Sequence, residues 1–358
     1  MLDIVSKFRL KGTPIYCERY GNGHINKTYR MICDSGFEYI LQRINKNVFK
    51  DPIALMNNIS MLTNYIKKRI RNSREVLTLV PTLSGQNYQV DEEGEYWRTY
   101  DFVTDSICIE QVEHACDFYQ SALAFGKFQD MLSEYPAHTL NETIPGFHDT
   151  VSRYAVFKKA IKADVCGSVD SVRPEIDFVL SQESFASTLM NLLKAGELPL
   201  RVTHNDTKLN NVLFDRETRK GVCVIDFDTI MSGVITNDFG EAIRFGASTA
   251  TEDEKDLSKV EMDIKLYTVF VKGFLEACGK NLTKKEIELL PVGAKMMTLE
   301  NGVRFLTDYL SGDTYFKIHY SDQNLDRCRT QFKLVSDMDN KWGKMNEIIF
   351  KEAKILGL

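Results

Sequence analysis

The chain has 358 residues, of which 43% are hydrophobic and 27% charged, the ordinary balance of a soluble globular protein. A chain of this length can bury a substantial core in two lobes or in one large domain. The formal net charge of −5 gives no electrostatic reason to expect nucleic acid or an anionic membrane as a partner. No apolar run reaches the length of a membrane span, no signal-peptide core opens the sequence, and the eight cysteines are scattered without a Cys-x-x-Cys pair. We therefore expect a cytoplasmic protein with free cysteines and with neither a zinc site nor a disulfide framework.

The first hundred residues are predicted to form mainly β-strands. An extended segment at 14–20 leads into Gly21-Asn-Gly23, and β-branched and aromatic residues flank a glycine turn within residues 27–44. A second pair of such segments occupies residues 82–102, with its turn at 91–94. These patterns predict two β-hairpins.

Helices are predicted in most of the remaining chain. Asp51-Pro52 starts one that reaches about Arg71, because Asp caps helices and Pro suits their first turn. We place a hinge near 103–107, which separates an N-terminal strand-rich, nucleotide-binding lobe at 1–105 from a C-terminal, mainly helical lobe at 106–358. Apolar residues recur at helical spacing in the segments 110–132, 153–163, 174–194, 256–278, 284–310 and 325–356.

One pattern is more specific than any other in the chain. Residues 203–214 read Thr-His-Asn-Asp-Thr-Lys-Leu-Asn-Asn-Val-Leu-Phe, and residues 224–228 read Val-Ile-Asp-Phe-Asp. Phosphoryl transfer needs a carboxylate that orients the attacking hydroxyl, together with oxygen ligands that hold Mg²⁺ against nucleotide phosphates. We predict that Asp206 is the catalytic carboxylate and that Asn211 and Asp226 are the metal ligands.

Other polar residues near this pattern have more than one interpretation. Lys208 is either a phosphate ligand or a solvated loop lysine. Asp228 is either a second metal ligand or the partner in a cap or salt bridge. His204 is expected to brace the loop through hydrogen bonds. Asp238-Phe239-Gly240 has the letters of the protein-kinase metal triplet but lies too far downstream, so we expect Asp238 to support the loop beneath the site.

With these motifs the chain resembles the aminoglycoside phosphotransferase family of small-molecule kinases. The resemblance implies an α+β, two-lobed, protein-kinase-like fold of the aminoglycoside phosphotransferase and choline kinase type, with a small antiparallel-sheet N-lobe and a large, mainly helical C-lobe. It implies ATP and Mg²⁺ as cofactors. Five segments are closer to the members of the family that phosphorylate the anomeric hydroxyl of N-acetylglucosamine or N-acetylgalactosamine: 21–26, 201–211, 225–231, 243–250 and 304–310. We expect a monomer or weak dimer that binds a sugar and a nucleotide and has no nucleic-acid or membrane partner.

The resemblance also implies roles for single residues. The sugar contacts are His24, Asp206, Asp226, Arg304 and Tyr315, with Phe245 as a further aromatic candidate beside an N-acetyl group. The nucleotide contacts are Gly21, Gly23, Asn26 and Lys208, because glycines let backbone N–H groups approach phosphates closely. From the residues alone, alternatives stay open for three of these positions. His24 could be structural, Arg304 could pair with Asp308 one helical turn on, and Lys208 could be a solvated loop lysine.

One position departs from the broad kinase pattern. Kinases of this type place a basic residue on the third strand, paired with a helix glutamate, whereas this chain has Gln42 there and no glutamate in the helix that follows. Lys208, Arg43 or the glycine loop could bind the α- and β-phosphates instead, and the sequence does not choose among them. The alternative functions are a kinase for another small alcohol, such as an aminoglycoside or choline, and a pseudokinase that only binds.

Overall fold

The structure is a computed structural model that describes residues 2–21, 23 and 25–358. Its strands are β1 (Pro14–Arg19), β2 (Lys27–Cys33), β3 (Glu38–Arg43), β4 (Gln89–Val90), β5 (Tyr96–Asp101), β6 (Ser106–Cys108), β7 (Arg201–Thr203), β8 (Val212–Asp215), β9 (Gly221–Val224) and β10 (Met231–Gly233). Its α-helices are α1 (Leu2–Val5), α2 (Pro52–Lys67), α3 (Ala115–Met131), α4 (Thr150–Ala163), α5 (Arg173–Ser181), α6 (Glu183–Ala186), α7 (Thr188–Lys194), α8 (Ile235–Gly246), α9 (Ile264–Cys278), α10 (Lys284–Glu288), α11 (Leu290–Leu310), α12 (Gln323–Asn340) and α13 (Trp342–Leu356). No helix among the described residues is both long enough and apolar enough to cross a membrane.

The chain divides into two compact units, each assembled from separate stretches of sequence. Unit 1 contains Met1–Cys108, Thr139–Pro145 and Val212–Met231. Unit 2 contains Ile109–His138, Gly146–Asn211 and Ser232–Leu358. The lobe boundaries at 1–105 and 106–358 stay a prediction.

Unit 1 is built on an antiparallel five-stranded sheet in the order β1-β2-β3-β5-β4. Both predicted hairpins are present, because β2 pairs with β3 and β4 pairs with β5. Side chains alternate between the two faces of a strand. On one face Met31, Leu41 and Trp97 pack with Val5 and Phe8 into a buried core. The alternate positions of the same strands face the other way, and these positions carry the polar side chains described below.

Helix α2 begins where the sequence predicts. The Asp51 carboxylate accepts hydrogen bonds from the backbone N–H groups of Ile53 and Ala54, at 3.1 and 2.9 Å, and Pro52 occupies the first turn. The helix ends at Lys67, one turn before the predicted end at Arg71.

A second sheet of unit 1 has the order β6-β8-β9. Strands β8 and β9 form an antiparallel hairpin in which Val212 pairs with Val224 and Leu213 pairs with Cys223. Strand β9 therefore delivers Asp226 two residues beyond the last pair, at the end of a strand as predicted.

Unit 2 is mainly helical. Helix α3 packs against α9, and α11 packs against α8, α12 and α4. Several predicted helices are interrupted: residues 174–194 form α5, α6 and α7, and residues 284–310 form α10 and α11. The second break has a covalent cause, because Pro291 lacks the N–H that a continuous helix needs and lies instead in the first turn of α11.

Helix α8 was not predicted from the sequence. Eleven of its twelve residues are buried, including polar ones such as Asn237 and Asp238, although its apolar residues Ile235, Phe239, Ala242 and Ile243 recur at helical spacing. It contains the Asp238-Phe239-Gly240 triplet, and its burial places these residues inside unit 2.

Candidate active site

The loop at 204–211 in unit 2 follows strand β7 and is held from below by Asp238 of α8. The two carboxylate oxygens of Asp238 accept hydrogen bonds from the backbone N–H groups of His204 and Asn205, both at 2.8 Å. The Gln129 side chain donates a further bond to Asp238 at 2.6 Å. Asn205 adopts a left-handed backbone conformation with φ of 65°, which Asn tolerates better than most residues. The predicted supporting role of Asp238 is confirmed.

His204 braces the same loop from its own side chain. The backbone N–H of Asp206 donates to Nδ1 of His204 at 3.3 Å. The imidazole ring is buried and makes T-shaped contacts with Phe125 and Phe128, with ring centroids 5.6 and 5.9 Å away. The prediction that His204 is structural is confirmed.

The Asp206 carboxylate lies between a cation and an amide. Lys208 Nζ is 2.8 Å from its Oδ1, and Asn211 Nδ2 donates to its Oδ2 at 2.9 Å. Burial opposes ionisation here, but the charge and hydrogen bond of Lys208, together with His204 and Asn211, lower the pKa of Asp206 below its ordinary value. Asp206 in turn raises the pKa of Lys208. With its side chain 25% exposed, Asp206 is an ionised, accessible hydrogen-bond acceptor.

The orientation of Asn211 suits a metal ligand. Its side-chain NH₂ group donates both to the carboxylate and to the main-chain oxygen of Asp206, the second bond at 2.7 Å. Because the amide nitrogen faces Asp206, the amide oxygen points to the other side, and Mg²⁺ prefers such oxygen donors.

Asp226, in unit 1, has a left-handed backbone with φ of 63° and ψ of 62°. The turn leaves Asp226 exposed while the next two residues, Phe227 and Asp228, are buried. An exposed carboxylate and a directed amide oxygen are both suitable for Mg²⁺. Among the described residues no group of three or more His, Cys, Asp or Glu side chains could hold a metal.

Asp228 forms a salt bridge, as the second of the two interpretations of its sequence position predicts. Its Oδ1 is 2.5 Å from Nη1 of Arg98, and its Oδ2 accepts from Nη2 at 2.9 Å. Arg98 is only 1% exposed, and its Nε donates to Oε1 of Gln42 at 2.9 Å. Burial opposes the charge, but Asp228 raises the pKa of Arg98. Sequence reasoning missed Arg98, although a single arginine within the strand Tyr96–Asp101 was a usable signal.

The predicted phosphate-covering loop is only partly described. Gly21 has φ of +73°, a conformation that favours glycine, and a Cβ at Gly21 or Gly23 would meet no described atom within 4 Å. His24 lies outside the described residues. Asn26 is anchored at both ends of its amide, which donates to Asp228 and accepts from the backbone N–H of Asn45 at 3.0 Å. The phosphate contacts of this loop stay predictions.

The structure brings together Arg304 and Tyr315 in unit 2. The Arg304 guanidinium lies 5.4, 5.8 and 5.3 Å from the ring centroids of Phe147, Tyr315 and Phe316. Asp308, the alternative partner of Arg304, accepts the backbone N–H groups of residues 314–316 at 2.8–2.9 Å. Asp308 therefore fixes the turn that carries Tyr315, and aromatic rings surround the guanidinium.

Two further residues of this region were missed by sequence reasoning. His148 Nδ1 lies 3.1 and 3.2 Å from the carboxylate oxygens of Glu300, and Nε2 lies 3.3 Å from the main-chain oxygen of Asn205. Both ring nitrogens face acceptors, so the ring satisfies both contacts only when it is doubly protonated. Burial opposes this charge, but Glu300 raises the pKa of His148. His148 thus connects α11 to the residue that precedes Asp206.

Phe245 lies half-buried near the end of α8. Its neighbour Arg244 is paired with Glu241 and Glu252, both at 2.6 Å. A contact between Phe245 and a sugar stays a prediction.

Solved structures share this architecture over nearly the whole chain. An aminoglycoside phosphotransferase from Alicyclobacillus acidocaldarius matches with 12% identity and a TM-score of 0.66, over 98% of this chain and 96% of that one. A choline kinase from Cryptosporidium parvum matches with 12% identity and a TM-score of 0.63, over 98% of each chain. An amicoumacin kinase in complex with AMP-PNP and Ca²⁺ matches with 13% identity and a TM-score of 0.62, over 95% of this chain and 92% of that one. The fold is therefore the kinase-like fold of aminoglycoside phosphotransferases and choline kinases, as the sequence predicted.

The family follows from a direct sequence match. The model of the phosphotransferase enzyme family known as APH matches residues 17–258, more than half of the chain. This protein belongs to that family.

Proposed function

We propose that the protein uses ATP and Mg²⁺ to phosphorylate the anomeric C1 hydroxyl of an N-acetylhexosamine, giving the sugar 1-phosphate, as an N-acetylhexosamine 1-kinase does. The observation that carries the proposal is the arrangement around Asp206, whose ionised carboxylate is held between Lys208 and Asn211. Family membership supports the phosphotransferase chemistry. The choice of acceptor rests on the five similar sequence segments and on the surroundings of Arg304.

In the proposed reaction Asp206 accepts a hydrogen bond from the sugar C1 hydroxyl and aims its oxygen at the γ-phosphorus. Positioning contributes most, because the transition state of phosphoryl transfer is loose and little bond to the nucleophile has formed. The hydroxyl proton passes to Asp206 as the P–O bond forms, and ADP leaves. An anomeric hydroxyl is more acidic than an ordinary alcohol, so a carboxylate with a lowered pKa is a sufficient base.

The groups around Asp206 would neutralise the negative charge of the nucleotide phosphates. Lys208, 2.8 Å from Asp206, would lie beside the transferred phosphoryl group and offset its negative charge. Asn211 and Asp226 would hold Mg²⁺, which when bound shields the charge of the nucleotide phosphates.

The acceptor assignment is supported by the cationic side chain of Arg304, which lies among aromatic rings. Arg304 presents planar donors that suit sugar oxygens, and the rings around it offer apolar faces to an N-acetyl group and a sugar ring. The same positive charge disfavours a cationic acceptor such as choline or an aminoglycoside. His24 and Phe245 are assigned to the same sugar on sequence similarity alone.

An acceptor series tests this proposal. ADP release is measured with N-acetylglucosamine, N-acetylgalactosamine, choline, kanamycin and 1-deoxy-N-acetylglucosamine, which lacks only the C1 hydroxyl. We expect turnover with one or both N-acetylhexosamines and none with the 1-deoxy sugar. Equal turnover of the 1-deoxy sugar would show that another hydroxyl is phosphorylated. If no hexosamine is phosphorylated, the proposal is wrong.

The second candidate is a kinase for another small alcohol. The observation that favours it is the fold shared with a choline kinase and an aminoglycoside phosphotransferase. Saturation by choline or kanamycin at lower concentration than by any hexosamine would select this candidate. Nucleotide binding without turnover of any acceptor would instead indicate a pseudokinase.

A further inference from the structure

A row of polar side chains crosses one face of the five-stranded sheet in unit 1. The register pairs Thr28 with Gln42 and Gln42 with Arg98, so the three residues lie side by side on β2, β3 and β5. Gln42 donates through Nε2 to the Thr28 hydroxyl at 3.0 Å and accepts from Arg98 Nε at 2.9 Å. Gln42, at the position where the family resemblance implies a basic residue, thus orients an arginine from the adjacent strand.

Arg98 connects this row to two other segments of unit 1. Two of its nitrogens contact the two carboxylate oxygens of Asp228, in the turn that directly follows Asp226. Asp228 also accepts a hydrogen bond from Asn26, at the end of the glycine loop. Asn26 is fixed a second time by the backbone N–H of Asn45. A single buried ion pair therefore joins the sheet, Asn26 and the turn that carries Asp226.

Each nitrogen of the buried Arg98 guanidinium contacts either Gln42 or Asp228. A two-point arginine–carboxylate contact defines the geometry of both partners more strictly than a lysine could. The other cation considered for this role, Arg43, occupies the next position along β3 and lies 3.9 Å from Glu95. Successive strand residues face opposite ways, so Arg43 is directed away from Gln42.

We propose that Arg98 is a positioning residue that takes the structural place of the missing strand-three cation and helix glutamate. Acting through Asp228, it sets the position of Asn26 and of the turn at 226–228 for binding nucleotide phosphates. Its own guanidinium is 1% exposed and works through these partners without touching the nucleotide. The inference rests on the proposed function for the nucleotide, and it is independent of which alcohol is phosphorylated.

The test compares nucleotide affinity with stability in the full-length protein. Binding of AMP-PNP with Mg²⁺ is measured by calorimetry without an acceptor, and melting temperature is measured on the same samples. The variants are Arg98→Lys, Asn26→Ala and the two combined. The control is Leu41→Ala, which opens a cavity on the other face of the same sheet, where Leu41 is fully buried.

We expect Arg98→Lys to weaken AMP-PNP binding about tenfold, the scale of one lost charged hydrogen bond. Asn26→Ala should weaken it to a similar extent, and the double variant should be little worse than either single one, because both changes break the same connection. Leu41→Ala should lower the melting temperature at least as much while leaving the dissociation constant within about twofold of the wild type.

Several results would overturn the inference. Unchanged affinity in Arg98→Lys, additive losses in the double variant, or a loss of affinity in Leu41→Ala that matches its loss of stability would each do so. If Arg98→Lys does not fold, Asn26→Ala alone tests the inference, because it leaves the Arg98–Asp228 ion pair intact. Unchanged AMP-PNP affinity in Asn26→Ala would then refute the inference. A wild type that binds AMP-PNP but phosphorylates no hexosamine would refute only the acceptor, whereas a wild type that does not bind AMP-PNP would refute both proposals.

Discussion

Asn205 and Asp226 share an uncommon backbone conformation, with φ of 65° and 63°. A left-handed residue other than glycine costs roughly 1–2 kcal/mol, so it persists only where the surrounding structure holds it. Two contacts stabilise this conformation of Asn205: its backbone N–H donates to Asp238, and a ring nitrogen of His148 lies 3.3 Å from its main-chain oxygen. The strain therefore lies at one of the predicted metal ligands, Asp226, and at the residue directly before Asp206, the predicted catalytic carboxylate.

The first prediction concerns Asp206. Replacing Asp206 with Asn removes the negative charge that accepts the hydroxyl proton but keeps an oxygen near Lys208. We expect kcat to fall by roughly 10²–10⁴-fold, the usual contribution of a positioned base. Steady-state ADP release measures this, and thermal denaturation of the same variant shows whether the fold is retained. A folded variant within about threefold of wild-type kcat would be incompatible with a catalytic role for Asp206.

The second prediction concerns the pH dependence that His148 gives to stability. Glu300 raises the pKa of His148 above its ordinary value of 6.5, against the opposing effect of burial. A raised folded-state pKa adds stability that is complete below the unfolded pKa and is lost as pH rises through the folded pKa. The contribution of His148 should therefore decline above pH 6.5, as the ring loses the proton that one of its two contacts requires.

Urea unfolding of wild type and His148→Gln, from about pH 6 to about pH 9, measures that decline. The difference between the two free energies of unfolding should shrink as pH rises. The exposed His138, changed to Gln, is the matched control and should leave the wild-type pH profile unchanged. A constant difference between wild type and His148→Gln would show that the ring is not charged in the folded protein.

Among the secondary-structure elements, local signals in the sequence were sufficient to predict the hairpins and the start of α2. Turn glycines and the Asp51-Pro52 cap act through the backbone of neighbouring residues, so they are visible in a short window of sequence. Helix α8 was missed although Ile235, Phe239, Ala242 and Ile243 recur at helical spacing, because Thr236, Asn237, Asp238 and Gly240 in its first half are weak helix formers. The division of residues 174–194 into three short helices is invisible in apolar spacing, since that spacing continues across the breaks.

Helices α8 and α11 approach each other through glycine. A Cβ built on Gly240 would lie 2.2 Å from the main-chain oxygen of Gly293, and one built on Gly293 would lie 2.1 Å from that of Thr236. The two backbones are therefore in direct contact. Helix α8 also carries Asp238, whose carboxylate holds the backbone of the loop at 204–211.

The third prediction is that Gly240→Ala destabilises the protein. Because the obstruction is backbone, the helices must separate, at a cost of about 1–3 kcal/mol in the free energy of unfolding. Gly343→Ala in α13 is the control, because its Cβ would meet no described atom within 4 Å. Alanine should stabilise that helix position by about 0.5–1 kcal/mol. Urea unfolding of both variants measures the contrast, and equal effects at the two positions would contradict the close packing of α8 on α11.

At the scale of the molecule, the predicted site residues come from both compact units. The chain passes from unit 2 to unit 1 between Asn211 and Val212 and returns after Met231. The sequence predicts the candidate site residues within 203–228 together, because one short stretch of sequence contains them all. Arg98 and Asp228 are 130 residues apart, and His148 and Glu300 are 152 apart. Spacing carries no signal for such pairs, and only the folded chain shows them.

We propose that Asp206 directs the C1 hydroxyl of an N-acetylhexosamine onto the γ-phosphate of ATP. Phosphorus NMR of the reaction with N-acetylglucosamine or N-acetylgalactosamine and ATP with Mg²⁺ tests it most directly, because the coupling of the product phosphorus to sugar protons identifies the esterified carbon. We predict a new resonance coupled to the anomeric proton, formed by the wild type and nearly abolished in Asp206→Asn. A product phosphorylated at another carbon, or equal product from the Asp206→Asn variant, would contradict the claim.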